Sequence, residues 1–216
     1  MDAYIYTEAE GKKGGNNFFS LLEKSLEKKC VLEILRKGPE EHLTLVFDNC
    51  GGQNKNHMVI RYAMYLVEKK IYKCVELVFL VCGHTKNVCD RMFKELKQKF
   101  HHKNVYTMGQ LMDVLNYSPK VNAVRAPSEM HFDWGTYFDK LYKRPANGTV
   151  TKNHIFQAEM SSLGHITTER IKGTDVTVQN FNVLKSTSTG STKGGRTRTL
   201  CHAKPSRITP PGLKHI

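Results

Sequence analysis

Residues 3–7 (AYIYT) alternate apolar and polar positions as a strand does, and the loop-forming cluster EGKKGGNN follows, in which Asn16 or Asn17 can cap a helix. Phe18, Phe19, Leu22 and Leu26 then recur at a period near 3.6, so a sheet-packing helix is predicted to about Lys29. After the Gly38-Pro39 break, residues 43–47 (LTLVF) form a short apolar run that ends in a turn, which predicts a buried strand. Met58/Val59, Tyr62/Ala63 and Leu66/Val67 mark a helix within residues 54–70, and residues 75–81 (VELVFLV) predict the next strand. A loop, Gly83-His84-Thr85-Lys86-Asn87, leads to a helix that starts near Asp90 and carries Met92, Phe93, Leu96 and Phe100.

This strand-helix-strand-helix order predicts an α/β fold in which a right-handed crossover joins parallel strands. Ligands of such sheets gather beyond the carboxyl ends of the strands. Asp48 follows the first strand of the unit, and Asp90 opens the helix that follows the second. If the two strands are neighbours, about 4.8 Å apart, the carboxylates approach one edge together.

Past residue 108 the pattern changes. A short helix over 110–115 precedes an irregular stretch with Pro119, Pro127 and the single tryptophan, Trp134, ahead of residues 137–142. Residues 149–156, 166–171 and 175–184 read as strands, the last two joined by Lys172-Gly173-Thr174 as a hairpin. The expected organisation is a sheet-and-helix domain over 1–112, a helical connection with a small β-rich annex over 113–184, and a basic, flexible tail over 185–216.

Charge supports that division. The chain carries a net charge of +13, of which residues 113–216 supply +8. After Asp175 there are seven Lys or Arg residues and no acid, in a setting of Ser, Thr, Gly and Pro, so the tail is expected to stay disordered until it meets phosphate. Polyanions are the natural partners of such a chain, and nucleic acid is the leading class. Lys193, Arg196 and Arg198 in the tail, with Gln53, Lys55 and Lys86 in the two strand-end loops, are the candidate contacts. The six cysteines show no paired CxxC spacing and the start is polar and acidic, which points to a reduced, intracellular setting. The longest apolar run, 74–82, is far short of the roughly 20 residues that cross a bilayer.

The run Phe47-Asp48-Asn49-Cys50-Gly51-Gly52-Gln53-Asn54 sets a carboxylate at a strand end ahead of two glycines and a helix start. A tight turn in which Asp48 only bonds loop amides, and helix capping by Asp90, account for the same residues without chemistry. His84 can ligate a metal, orient water or protonate a leaving oxygen. Two carboxylates are too few for a two-metal phosphoryl-transfer centre with Mg²⁺ or Mn²⁺, and Glu8 and Glu95 are the local candidates for a third acid. Cys50, Cys82, His84 and Cys89 also admit a structural zinc site, the weakest of the readings.

The segments YIYTEAEGKKGGNNFFSLL, FDNCGGQNKN, GHTKNVCDRMFKELK and FDWGTYFDKLY together resemble a eukaryotic domain of unknown function associated with mobile-element-like genes, itself similar to ribonuclease H-like transposases. The resemblance spans about residues 3–141. It implies a partial ribonuclease H-like sheet, with Asp48 as the acid after the fourth strand, Asp90 as the acid on the final helix, and His84 in the matching GHT motif. It further implies DNA as partner, Mg²⁺ or Mn²⁺ as cofactor and a nuclear location. The first acid of that fold lies on an opening strand, whereas this chain begins just before what resembles the third. The expectation is an amino-terminally truncated chain lacking the first catalytic carboxylate; Asp2, judged to precede the strand, is not a substitute.

Overall fold

The computed structural model describes residues 2–12, 14–37, 40–51, 54–81, 88–170, 179–185 and 205–207. In chain order the strands are β1 (Asp2–Ile5), β2 (Glu40–Phe47), β3 (Tyr72–Phe79), β4 (Asn122–Arg125), β5 (Ile155–Glu159), β6 (His165–Glu169) and β7 (Gln179–Asn182). The helices are α1 (Gly15–Lys37), α2 (His57–Glu68), α3 (Val88–His101), α4 (Met108–Asn116), α5 (Trp134–Leu141) and α6 (Thr149–Lys152). The α/β fold expected from the pattern is present as a five-stranded mixed sheet and a two-stranded parallel one.

The larger sheet has the order β2-β3-β5-β6-β7. β2 and β3 pair in parallel with Phe47 opposite Phe79, so the adjacency on which the sequence argument depended holds. α2 is the crossover between them. Asn56 caps it by accepting from the Met58 and Val59 amides, and residues 59–67 are all buried. α1 and α5 pack on α2, and their aromatic side chains interlock. Phe138 of α5 lies 6.4 Å from Phe19, 6.3 Å from Tyr62 and 5.4 Å from Trp134, ring centre to ring centre. Burial of these rings removes a large apolar area from water and holds the helical layer on the sheet.

Three features depart from the expectations. The strands assigned to an annex instead continue the main sheet: β5 pairs antiparallel with β3, placing Ala158 opposite Val75, and β6 and β7 follow. Phe156, Ala158, Ile166 and Val183 share one core with Phe47 and Leu77, so the sheet crosses the boundary drawn at 112/113. Residues 149–152, which are rich in β-branched side chains, form a helical turn rather than strand, because Gly148 enters it at φ +85° and the Lys152 amide bonds back to the Gly148 carbonyl. The hairpin turn at 172–174 lies outside the described residues.

The smaller sheet is the second surprise. The stretch read as irregular contains β4, which pairs in parallel with β1 from Asp2–Asn122 to Ile5–Arg125. Asp2 is thus the first residue of the strand and not ahead of it, with its Oδ1 accepting from Asn122 Nδ2 at 2.8 Å. α3 and α4 cover this sheet through a minor core of Ala3, Leu96, Leu115, Val121 and Ala123. α4 is fixed by a full capping box in which Thr107 and Gln110 satisfy each other's backbone amides.

Part of the tail is seated on the body. Pro205 is buried, the Ser206 carbonyl accepts from the Asp133 amide at 2.8 Å, and Arg207 bridges Phe132 in antiparallel fashion. The open hydrogen-bonding edge before α5 accounts for the capture of these three residues. Among the described residues, no helix is long and apolar enough to cross a membrane.

Candidate functional site at the carboxyl ends of the parallel strands

Asp48 is the residue immediately after β2 and is exposed. The chain turns back on itself there: the Asn54 and Lys55 amides both bond to the Cys50 carbonyl, at 3.0 and 2.9 Å. This turn brings Asn54 Nδ2 to within 2.5 Å of Asp48 Oδ1. The carboxylate is thus held by the side-chain amide of a loop residue, close to the turn reading of the motif in which Asp48 bonds loop amides.

Asp90 lies in the first turn of α3, which follows the neighbouring strand β3, and it too is exposed. In chain order each acid thus follows one of two adjacent parallel strands, Asp48 directly and Asp90 after a segment that includes residues 82–87, which lie outside the described residues. A carboxylate in that helical position is also favoured by the helix dipole, so its presence serves the fold whether or not it serves chemistry. Gln53, His84 and Lys86, and Lys193, Arg196 and Arg198 of the tail, lie outside the described residues.

Lys55 occupies a different position from the one its loop suggested. It is only 6% exposed, donates to the Thr151 carbonyl at 3.1 Å, and stands 5.6 Å from the centre of the Phe79 ring. Its ammonium ties the β2–α2 turn to α6 and closes the end of the sheet, a role that leaves it unavailable to phosphate in this conformation. The signal was not local: the carbonyl it meets is 96 residues away.

The acids available as a third ligand do not gather here. Glu8 lines a separate surface pocket with Tyr6, Gly11 and Lys12, and Glu95 points away from Asp90, five positions further round α3. Among the described residues, no group of three or more His, Cys, Asp or Glu side chains is placed to hold a metal ion. Cys50 and Cys74 are free, half-buried thiols, and burial pushes the Cys74 thiol up. The remaining cysteines and the histidine of the zinc reading have no described side chain.

Sequence reasoning missed one charged cluster near the start of α2. Arg61 is fully buried and donates through Nη1 to Asp139 Oδ1 at 2.6 Å, while Arg144 donates to both oxygens of the same carboxylate. Hydrogen bonds from Arg144 and then Arg61 hold the Asp139 carboxyl far below the usual carboxylate range. His57, the first residue of α2, is pushed down by burial and by the two guanidinium groups. A cavity of about 210 Å³ lies elsewhere, between α1 and the segment before α5. Glu23, Glu27 and Glu129 line it beside Phe132, Trp134 and the seated Arg207.

A family described as a domain of unknown function (DUF7869) matches residues 8–174, which include the Asp48 turn, α3 and strands of both sheets. The chain belongs to that family. No curated protein and no solved structure matches it.

Proposed function

We propose that this chain is a transposase-derived, ribonuclease H-like domain that binds nucleic acid, DNA above all, through its phosphates. In this reading it retains in Asp48 and Asp90 two of the carboxylates that such folds use for metal-dependent phosphoryl transfer. The observation that carries the proposal is the β2–α2–β3 crossover: two adjacent parallel strands, each followed by one of these acids. The net charge of +13 supports a polyanionic partner.

Mg²⁺ and Mn²⁺ take several oxygen ligands, and a two-metal centre draws on more than two carboxylates. The described donor set offers Asp48 and Asp90 and does not by itself fit such a centre, so the reading is of a nucleic-acid-binding domain with an incomplete catalytic set. A nuclear location accompanies a DNA partner.

The test pairs binding with cleavage on the full chain. Labelled DNA is expected to bind with an affinity that falls steeply as salt is raised from about 50 to 200 mM. Asp48→Ala and Asp90→Ala are expected to bind as the parent does, and supercoiled plasmid with Mn²⁺ is expected to stay uncut. Binding that is absent or indifferent to salt would overturn the proposal. Nicking lost in Asp48→Ala would overturn its noncatalytic half and restore an active nuclease.

A further inference from the structure

α3 packs on the small sheet through Leu96, 6% exposed, and half-buried Met92. The flank of that face, about 40–60° round the helix from Leu96, is not polar either. Phe93 is 54% exposed and Phe100 38% exposed, and on a helix of 3.6 residues per turn positions 93, 97 and 100 lie in one line. Lys97 fills the gap between the two rings, Lys94 and His101 flank the line, and all three are exposed. The Phe100 and His101 rings lie 6.5 Å apart and within 19° of parallel, so they present a continuous flat surface.

The adjoining loop continues the pattern. Tyr106 and Tyr117 are each 82% exposed, and the Lys103 ammonium stands 5.6 Å from the centre of the Tyr117 ring. Large aromatic side chains left in water and interleaved with cations are costly as a plain surface. Phe93 and Phe100 flank Leu96 and Met92 on the helix, yet neither ring is among the side chains packed on the minor core.

We infer that this face of α3, from Phe93 to Phe100 with the Lys103–Tyr117 corner, is a binding surface for an unpaired nucleic-acid strand, its bases stacking on the rings and its phosphates meeting Lys94 and Lys97. Charge and shape select this occupant. Single-strand sites set aromatic rings for the bases beside cations for the phosphates, the alternation found here, and the net charge of +13 favours a polyanion. The two phenylalanines are seven residues apart, about 10.5 Å along the axis, a span that successive bases of an extended strand can bridge. Asp90 lies on the same flank, three residues before Phe93, so a strand tracking the helix also passes one of the two acids. The inference rests on the proposed nucleic-acid function and specifies which surface and which form of nucleic acid it uses.

The experiment measures anisotropy of a labelled oligo(dT) 20-mer and of a duplex of equal length, with the full chain and two variants. Phe93→Leu/Phe100→Leu keeps apolar volume and helix propensity but removes the rings. It is expected to weaken oligo(dT) about tenfold for each ring lost, and to leave duplex affinity within about twofold. Lys94→Gln/Lys97→Gln is expected to reduce the salt slope on oligo(dT) by about 0.7 for each phosphate contact removed. Circular dichroism shows whether helix content is kept. A parent chain that binds neither probe removes the nucleic-acid reading and this one with it. A parent that binds both, with oligo(dT) affinity unchanged in the leucine variant, overturns this surface alone. A leucine variant that changes the oligomeric state on sedimentation while binding oligo(dT) normally would assign the face to self-association and overturn the inference equally.

Discussion

The sharpest test of the packing argument is Asp139→Asn. Arg61 sits in the middle of α2 with no exposed surface, its Nε bonded to the His57 carbonyl at 3.3 Å and its Nη1 to Asp139 at 2.6 Å. The amide of asparagine retains a hydrogen-bonding oxygen but not the charge, which leaves a guanidinium desolvated without a counterion. Breaking a fully buried pair from one side costs about 3–5 kcal/mol. The Asp139 side chain is 43% exposed, so water replaces part of the lost field and the expected cost falls to about 2–3 kcal/mol. For a urea slope of about 2 kcal/mol/M this lowers the unfolding midpoint by about 1 M. Arg61→Met keeps an apolar side chain but removes the guanidinium, which lies 5.8 Å from the centre of the Phe138 ring, and the double variant Arg61→Met/Asp139→Asn is expected to lose much less than the sum of the single losses. The pH dependence has a definite sign. The folded-state carboxyl is held far below its ordinary value, so its contribution is complete above the unfolded pKa of about 3.9 and is lost as pH falls from there toward the folded value. Asp139→Asn should therefore flatten the acid limb of the stability curve below about pH 4. A midpoint within about 0.2 M of the parent, or strict additivity in the cycle, would refute the view that Arg61 depends on this one carboxylate.

Two further changes probe other parts of the fold. His131 is 1% exposed and, among the described residues, neither ring nitrogen has a hydrogen-bond partner; burial pushes the imidazole below its ordinary pKa, against a smaller upward pull from Glu10. Because the folded pKa is depressed, the parent should lose stability as pH drops below about 6.5, and His131→Phe should remove that loss at no cost near pH 8, read from urea midpoints across pH. Gly164 stands at φ +89° with Leu184 Cδ1 only 2.5 Å from the place a Cβ would take. Gly164→Ala should cost at least about 1 kcal/mol in thermal or urea unfolding, and an unchanged midpoint would show that the β5–β6 connection relaxes freely.

The elements that were legible in the sequence are those whose evidence is local. β2, α2 and β3 carry unbroken apolar runs or a clean helical period, bounded by turn residues, so their type and parallel order could be read from residues 43–81. β4 carried no such signal: four residues, half of them polar, become a strand only because β1 pairs with them from the far end of the domain. The same holds for the continuation of the main sheet, where β5 meets β3 across about 80 residues of sequence, and no pattern within 149–184 says which edge those strands will find. Composition misled in the opposite direction at Thr149–Lys152, where β-branched residues suggested strand and the left-handed Gly148 imposed a turn. Among the site residues, Asp48 and Asp90 could be placed because each is fixed by the element next to it, while the fate of Lys55 and the burial of Arg61 were decided by partners 96 and 78 residues distant.

The same reasoning explains why α3 is the instructive helix. Read as a sequence, Met92, Phe93, Leu96 and Phe100 form one apolar set, and a helix with one apolar face is expected to bury all of it. The small sheet is only two strands wide, and its core closes with Leu96 and Met92, which leaves no area for the phenylalanines. Rotation of α3 to bury Phe93 would withdraw Leu96 from Ala3, Leu115 and Ala123, exchanging one covered side chain for another and exposing the minor core. The exposed ring line is therefore a fixed consequence of how α3 packs, and Asp90 is held on that line by the same constraint. Phe93 and Lys94 are exposed and outside both buried cores, so substitutions there should alter affinity without disturbing either core.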